Sequence, residues 1–298
     1  MQKLQRVCVG TNFTPESDLA VQSAVRLART AGAHLDFVHI IHRPPLYERV
    51  LQRVRPSDDE LCGRALAHLR EATAGADAAG LSVGHHVRIG TPFAELIAAS
   101  RELDSDLLVV GVRKRASLTD LLLGGTAERV LRKAPAPVLL ARRALPEKPG
   151  CILAPTDFSD GSRLALSEAI ALARRWNGRL VLLHVIEPIV QAYAWATDLA
   201  GGEIYVIEPA ELQPEWDALI ASLDLSGVHW EHQTMKGDVA TTVVSTAESL
   251  AADLIVMGTH GRTGLTHALL GSVAEGVARA AHTSVLTVRT GSDTFALP

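Results

Sequence analysis

The second half of the chain repeats the first, and this internal repeat limits the fold more than any other feature of the sequence. The stretch VGTNFTPESDLAVQSAVRLARTAGAHLDFVHI, which starts at Val9, aligns with APTDFSDGSRLALSEAIALARRWNGRLVLLHV, which starts at Ala154. Matched positions are 145 residues apart there and 147 residues apart from Gly90 onward. We therefore expect two tandem domains, residues 1–143 and 151–298, joined by a linker at 144–150 that contains two prolines and a glycine.

Strand-like and helix-like segments alternate within each copy. In the second copy, CILAPTD and RLVLLHVIE are short apolar runs, and SRLALSEAIALARRWN between them has apolar residues at helical spacing, with Ser162 as a candidate N-cap. HWEHQTMKG, DLIVMG and SVLTVR follow as further strands. This alternation predicts two open, doubly wound α/β domains with parallel strands and helices on both faces. Such folds bind ligands beyond the carboxyl ends of their strands, so the loops after the first and fourth strands are the candidate site.

The stretch VMGTHGRTGLTHALLGS, from Val256 to Ser272, lies at the end of the fourth strand of the second copy and contains four glycines, of which Gly258, Gly261 and Gly271 are the candidate ligand-binding positions. Glycine lets backbone N–H groups approach phosphate oxygens, and a helix that starts at Gly271-Ser272 adds a partial positive charge. The Ser272 hydroxyl is a further donor. The stretch has the composition of an anion cradle, but glycines also end strands and permit tight turns. The residues alone leave both interpretations open.

The spacing G-x2-G-x9-G-S, together with APTDF after the first strand and LLHVIEP after the second, resembles the universal stress protein family over essentially the whole chain. The resemblance implies five-stranded sheets of order 3-2-1-4-5 and an adenine-nucleotide ligand, which we expect to be ATP. Mg²⁺ is an expected companion because triphosphate charge is usually neutralised, and no metal ligand is expected from protein side chains. The implied site lies in the second domain and consists of Pro155, Thr156, Asp157, Val185, Met257, Gly258, His260, Gly261, Arg262, Gly271, Ser272 and Val273.

Each part of this implied site has an expected role. By resemblance, Pro155, Thr156 and Asp157 border the adenine and the ribose, and the backbone near Val185 meets the adenine. Met257 and Gly258 lie along the sugar. The phosphates lie against Gly261, Gly271, Ser272 and Val273, within reach of the side chains of His260 and Arg262. Asp157 has a second interpretation, since an aspartate after a strand is commonly a turn or cap residue.

The first copy departs from this pattern. Asn12 stands where the second copy has Asp157, Lys114 replaces Gly261 and Gly125 replaces Ser272, while Gly111 and Gly124 are kept. Lys114 puts a long side chain where the backbone would approach phosphate. We expect this first site to be degenerate and empty, although Asn12 and Lys114 retain groups that can bind a ribose and a phosphate.

Composition excludes several classes of function. A net charge of −4 argues against a nucleic-acid binder, and the apolar runs are too short to span a membrane. The first residues, MQKLQRVCVGTN, turn polar too early for a secretory signal, so we expect a cytoplasmic protein. No G-x4-GK[ST] or G-x-G-x-x-G motif occurs, and no residue is expected to be catalytic. The prediction is a binding protein with at most slow ATP hydrolysis.

The two halves are also expected to dock on each other. Residues 1–148 carry a net charge of +5 and residues 149–298 a net charge of −9, which favours their association. By resemblance, the fifth strands PVLLARR and SVLTVR pair to form a pseudo-dimer within one chain, which covers two apolar edges. A homodimer of whole chains and an unidentified protein partner are further expectations from the family.

Two other functions stay open at this stage. One is an ATPase or nucleotidyl-transferring enzyme that uses the same cradle. The other is an interaction scaffold that binds no nucleotide. The variable segment from Pro188 to Pro214 is expected to cover the pocket or to line a dimer contact.

Overall fold

The computed structural model describes residues 2–42, 57–78, 80–112, 123–187, 208–259, 270–289 and 295–296. In the first domain, strands alternate with helices in the order β1 (Arg6–Thr11), α1 (Pro15–Ala31), β2 (His34–His42), α2 (Asp58–Ala78), β3 (Val83–Gly90), α3 (Pro92–Glu102), β4 (Leu107–Gly111), α4 (Gly125–Lys133) and β5 (Val138–Ala141). The alternation matches the one expected from the sequence.

The second domain follows the same order. It contains β6 (Cys151–Pro155), α5 (Asp160–Trp176), β7 (Arg179–Ile186), α6 (Gln213–Ala221), β8 (His229–Lys236), α7 (Val239–Ser249), β9 (Leu254–Gly258), α8 (Ser272–Ala280) and β10 (Ser284–Val288). A 3₁₀ turn at Pro209–Leu212 leads into α6. Gln2–Lys3 and Phe295–Ala296 form a separate two-residue parallel ladder.

The ten labelled strands form one continuous sheet in the order β3-β2-β1-β4-β5-β10-β9-β6-β7-β8. Each half has the order 3-2-1-4-5, and all pairs within a half are parallel. The predicted fold class is therefore confirmed. Parallel strands need crossover connections, and the helices that supply them cover both faces of the sheet.

The core has two layers, one on each face of the sheet, and each layer continues through both domains. One layer joins α1 and α5 to residues such as Leu35 and Leu182, and the other joins α3, α4, α7 and α8 to residues such as Leu108 and Leu183. The strands are apolar on both faces because both faces are covered. The two halves consequently share one core.

The halves meet at an antiparallel pair between β5 and β10. Leu139 pairs with Leu286, and their neighbours pair as Leu140 with Val285 and Val138 with Thr287. Because Leu139 and Leu286 are 147 residues apart and occupy the same position of the repeat, a local two-fold axis passes between them. The predicted pseudo-dimer through the fifth strands is confirmed. The antiparallel pairing also places the carboxyl ends of the strands of the two halves at opposite edges of the sheet.

The start of α5 differs by three residues from the sequence prediction. Its N-cap is Ser159, whose Oγ accepts a hydrogen bond from the Ser162 backbone N–H at 3.2 Å. Ser162, the predicted cap, lies in the first turn and donates its hydroxyl to the Ser159 carbonyl at 2.8 Å. A serine on either side of the boundary gives the same sequence signal, and the backbone geometry decides between them.

The segment between the domains packs on the first domain. Leu145 is 1% exposed, and its N–H donates to Ser23 Oγ of α1 at 3.1 Å. The Leu145 carbonyl accepts a hydrogen bond from the Arg26 guanidinium. This part of the connection is anchored rather than solvated. No helix within the described ranges is both long enough and apolar enough to cross a membrane.

Candidate functional site

The turn after the first strand of each domain has the same unusual backbone. Phe158 has φ of 64° and Phe13, its counterpart in the repeat, has φ of 61°. A bulky residue in this left-handed region is strained and needs support from its surroundings. The support is duplicated: Phe158 N–H donates to Thr156 Oγ1 at 3.0 Å, and Phe13 N–H donates to Thr11 Oγ1 at 3.2 Å. The turn is held in one conformation in both domains.

The aromatic rings at these turns pack on histidines of the neighbouring strand. The Phe158 and His184 ring centroids are 4.5 Å apart, and so are those of Phe13 and His39. His184 Nδ1 lies 2.8 Å from the Thr156 carbonyl oxygen, and His39 Nδ1 lies 2.9 Å from that of Thr11. Both histidines therefore brace the turn.

Asp157 is part of the same turn. Its Oδ1 accepts hydrogen bonds from Ser159 N–H at 3.1 Å and from Ser159 Oγ at 2.5 Å. In the first domain, Asn12 Oδ1 accepts from Thr14 Oγ1 at 2.8 Å. One oxygen of each side chain thus stabilises the entry to the following helix, which is the turn interpretation considered from the sequence. This contact explains why a short side chain with a hydrogen-bond-accepting oxygen occurs at both positions.

The glycine segment of the second domain leads directly into α8. Gly258 ends β9, and Thr259 N–H donates to the Val288 carbonyl of β10 at 3.0 Å. Gly271 is the N-cap of α8, and its N–H donates to the Thr259 carbonyl at 2.8 Å. Ser272 and Val273 are the first two helical residues, where backbone N–H groups have no partner within the helix. This arrangement suits an anion at the helix N-terminus.

The predicted second-domain residues come from adjacent strands. β6 pairs with both β7 and β9, so Pro155, Val185 and Met257 belong to neighbouring strands of one parallel sheet. Thr156 N–H extends the pairing by donating to the Leu183 carbonyl at 2.8 Å. Val185 and Met257 are 7% and 4% exposed. Three of the predicted residues, His260, Gly261 and Arg262, lie outside the described residues.

The first domain has a cavity of about 610 Å³ at the corresponding place. A volume of this size is typical of small-molecule sites. Four of the residues that were predicted to form a degenerate site line it, namely Asn12, Gly111, Gly124 and Gly125, together with Glu16 and His42. Lys114 lies outside the described residues. The cavity is present although the first-copy sequence departs from the nucleotide-binding pattern, and the prediction of an empty site stays a prediction.

Gly111 has a packing reason for being glycine. A Cβ at this position would lie 2.3 Å from the Glu16 carbonyl oxygen and 2.9 Å from the Ser17 backbone nitrogen. The first turn of α1 therefore crosses directly over the end of β4. Gly124 has φ of 88°, a conformation that favours glycine, and a Cβ on Gly125 would meet no atom within 4 Å. At Gly111 the close approach is to protein backbone, so this glycine alone is no evidence for a ligand.

Comparison with known proteins identifies the family. Residues 3–142 and residues 151–289 each match the universal stress protein family. The chain belongs to this family. It therefore carries two universal stress protein domains in tandem, which together account for the duplicated turns and for the shared core.

Two of the following relatives match nearly the whole chain, and the third matches about half of it. A universal stress protein of Mycolicibacterium smegmatis is 30% identical over 301 residues, which cover 95% of this chain and 96% of that protein. A universal stress protein of Methanocaldococcus jannaschii is 33% identical over 147 residues, covering 46% of this chain and 81% of its own. The crystal structure of a universal stress protein from Archaeoglobus fulgidus superposes with a TM-score of 0.71 at 20% identity, over 98% of this chain and 100% of that one.

Sequence reasoning missed one feature of this site. It did not single out Phe13 and Phe158, whose left-handed backbone fixes the turn that carries Asn12 and Asp157. The available signal was the recurrence of phenylalanine at the same position of both copies, directly after a polar residue. A phenylalanine at this position is also typical of an ordinary core residue, so its recurrence did not by itself indicate a left-handed backbone.

Proposed function

We propose that this universal stress protein binds an adenine nucleotide, ATP, in its second domain and acts as a cytoplasmic stress-response protein. The observation that carries the proposal is the start of α8 at Gly271 and Ser272, one strand away from the braced turn at Asp157. A triphosphate is matched by free N–H groups at a helix N-terminus, and a ribose hydroxyl is matched by a carboxylate. The nucleotide would alter the conformation of the protein or its affinity for a protein partner.

The proposed contacts divide the nucleotide among three segments. Adenine lies near Val185 and Pro155, and the ribose lies near Asp157 and Met257. The phosphates lie against Gly258, Gly271, Ser272 and Val273, and His260, Gly261 and Arg262 complete the loop. Mg²⁺ accompanies the nucleotide, held by its phosphate oxygens, because the triphosphate carries a high negative charge. The domain limits proposed from the sequence, 1–143 and 151–298 with a linker at 144–150, place all of these residues in the second domain.

A proline substitution at the first residue of α8 tests the phosphate contacts. Ser272→Pro removes one N–H donor and the hydroxyl, while proline is well accepted at the first position of a helix. The preceding residue, Gly271, has ψ of 145°, which is compatible with a following proline. Charge-assisted hydrogen bonds contribute about 1.5–3 kcal/mol each, so ATP affinity measured by calorimetry should fall about tenfold or more.

The first domain supplies the matched control. Gly125→Pro changes the same position of α4, and Gly124 before it has ψ of 131°. We expect unchanged ATP affinity and about one nucleotide per chain, counted by mass spectrometry after denaturation of the purified protein. Unchanged affinity in the Ser272→Pro protein, or lost affinity in the Gly125→Pro protein, would refute the assignment to the second domain.

A further inference from the structure

The last helices of the two domains, α4 and α8, are joined by a ring of four charges. Arg279 Nη2 lies 2.9 Å from Glu128 Oε1 of the other domain, and Arg132 Nη2 lies 3.3 Å from Glu275 Oε2. Within each helix the same arginines pair with the glutamate one turn earlier, at 2.8 Å in α8 and 3.4 Å in α4. We refer to Glu128, Arg132, Glu275 and Arg279 as the charge ring. Its side chains are 27–39% exposed, so water screens them only in part.

A second pair of contacts crosses the same joint. Arg142, which follows β5, donates from Nη2 to the Arg279 carbonyl at 3.1 Å and also to the Ala278 carbonyl. Arg289, which follows β10, donates from Nη2 to the Arg132 carbonyl at 2.7 Å. The two arginines occupy the same position of the repeat. Carbonyls at a helix C-terminus lack partners within the helix, so each domain satisfies the end of the other domain's last helix.

At its N-terminus, each of these helices begins directly after a glycine, Gly124 in the first domain and Gly271 in the second. Glu128 N–H donates to the Gly124 carbonyl at 3.0 Å, and Glu275 N–H donates to the Gly271 carbonyl at 2.9 Å. The backbone of each glutamate of the charge ring is therefore hydrogen-bonded to the glycine that is the N-cap of its helix. Each helix has nine residues and is a rod of about 13 Å. One end of the rod lies at a candidate ligand loop and the other end is held by the neighbouring domain.

We infer that nucleotide bound to the second domain changes the first-domain cavity through the charge ring. The inference rests on the proposed function, because it needs a ligand at the start of α8. Phosphate that orders Gly271 and Ser272 also orders Glu275, which is the partner of Arg132 on α4. The same helix begins at Gly124 and Gly125, and both line the 610 Å³ cavity of the first domain. Because coupling between sites is reciprocal, a ligand in that cavity alters ATP affinity by the same factor.

Hydrogen exchange of the full chain, followed by mass spectrometry with and without ATP, tests this coupling. In the wild-type protein we expect ATP to slow exchange in residues 272–280 and also in residues 125–133, the latter by about fivefold or more. The double variant Glu128→Gln with Glu275→Gln keeps the shape of the side chains and removes the charges. In this variant ATP should slow exchange in α8 and leave α4 unchanged.

A matched control removes an ion pair elsewhere in the second domain. Glu231 Oε1 of β8 lies 2.5 Å from Arg179 Nη2 of β7, and neither strand is next to β5 or β10 in the sheet. Glu231→Gln should preserve the response of α4 to ATP. Loss of that response in the control, or its persistence in the double variant, would overturn the role of the charge ring.

Two further outcomes separate this inference from the proposed function. Slower exchange in α8 alone in the wild-type protein would refute the coupling and leave ATP binding intact. No change in either helix, together with no heat of binding, would refute ATP binding itself. The Ser272→Pro variant tests for direct binding in the first domain, at an ATP concentration that fills the wild-type site and leaves the weakened site of the variant mostly empty. A response of α4 that persists in this variant at that concentration would overturn the coupling.

Discussion

Leu139 of β5 lies directly opposite Leu286 of β10, and the two leucines occupy the same position of the repeat. They are 1% and 3% exposed. The two domains are thus continued into one sheet by a pair of residues that is symmetric in sequence and in space. Each half therefore contributes one buried leucine to the contact.

A charge placed at this joint should separate the halves. Leu286→Asp buries a carboxylate without a partner, and we expect a loss of about 3 kcal/mol or more in the free energy of unfolding. Met235→Asp, on the edge strand β8, is the control, because Met235 is 40% exposed. Denaturant unfolding and small-angle scattering measure the effect. Equal stability and equal dimensions of the two variants would show that the joint is not required for docking.

Glu168 on α5 should make the protein less stable as the pH rises. It is 1% exposed, its Oε1 has no hydrogen-bond partner among the described residues, and burial raises its pKa from 4.5 to about 8. Between these values the folded protein binds more protons than the unfolded chain. The free energy of unfolding therefore falls with increasing pH, by up to about 1.4 kcal/mol per unit.

Glu168→Gln tests this pH dependence. The neutral amide should flatten the dependence between pH 6 and pH 8 and make the variant more stable than the wild type at pH 8. Glu215→Gln on α6, where the glutamate is exposed, serves as the control. A wild-type stability that stays constant or rises over this pH range would contradict the buried, protonated carboxyl.

The ends of α1 and α5 offer a matched pair of backbone tests. Gly32 ends α1 with φ of 66°, and Asn177, its counterpart in the repeat, ends α5 with φ of 51°. Alanine is strained in this region, so Gly32→Ala and Asn177→Ala should each cost about 1 kcal/mol. A Cβ on Gly32 would touch no atom within 4 Å, which leaves the backbone as the cause. Asn177→Gly should be nearly neutral, and an equal loss in that variant would point to the side chain instead.

The three cysteines should differ in reactivity. Burial raises the pKa of the Cys8 thiol to about 12 and also raises that of Cys151, whereas Cys62 on α2 is partly exposed. The thiolate is the reactive form, so iodoacetamide at pH 8 should label Cys62 in the native protein. Cys8 and Cys151 should react only after denaturation. Peptide mass spectrometry reads each site, and native labelling of Cys8 as fast as that of Cys62 would contradict its burial.

The repeat and its alternating segments were enough to predict the fold, because strand order and crossover direction follow from a short list of rules. The boundaries of β7, β9 and β10 follow apolar runs and were predicted closely. Helix α6 was missed, because Gln213–Ala221 follows a variable segment in which no apolar period stands out. Of the segment Pro188–Pro214, residues 188–207 lie outside the described residues, and its end leads into α6.

The candidate site was less accessible from the sequence. A helix start at Gly271 follows from local residue types, and the structure has it there. The packing reason for Gly111 depends on where α1 crosses β4, and the contacts of Arg142 and Arg289 depend on how the halves dock. Net charge did not locate the charge ring, which is balanced, with one acidic and one basic residue from each half.

The pairing of β5 with β10 has a consequence for how the two copies can change. In a dimer of identical chains, every substitution at such a contact appears twice, and both copies must accept it. Here each side is encoded separately, and the flanking pairs already differ, with Leu140 against Val285 and Val138 against Thr287. A substitution in one half therefore never meets the same substitution across the contact. One half can change toward its own ligand while the other half keeps the residues that hold the two domains together.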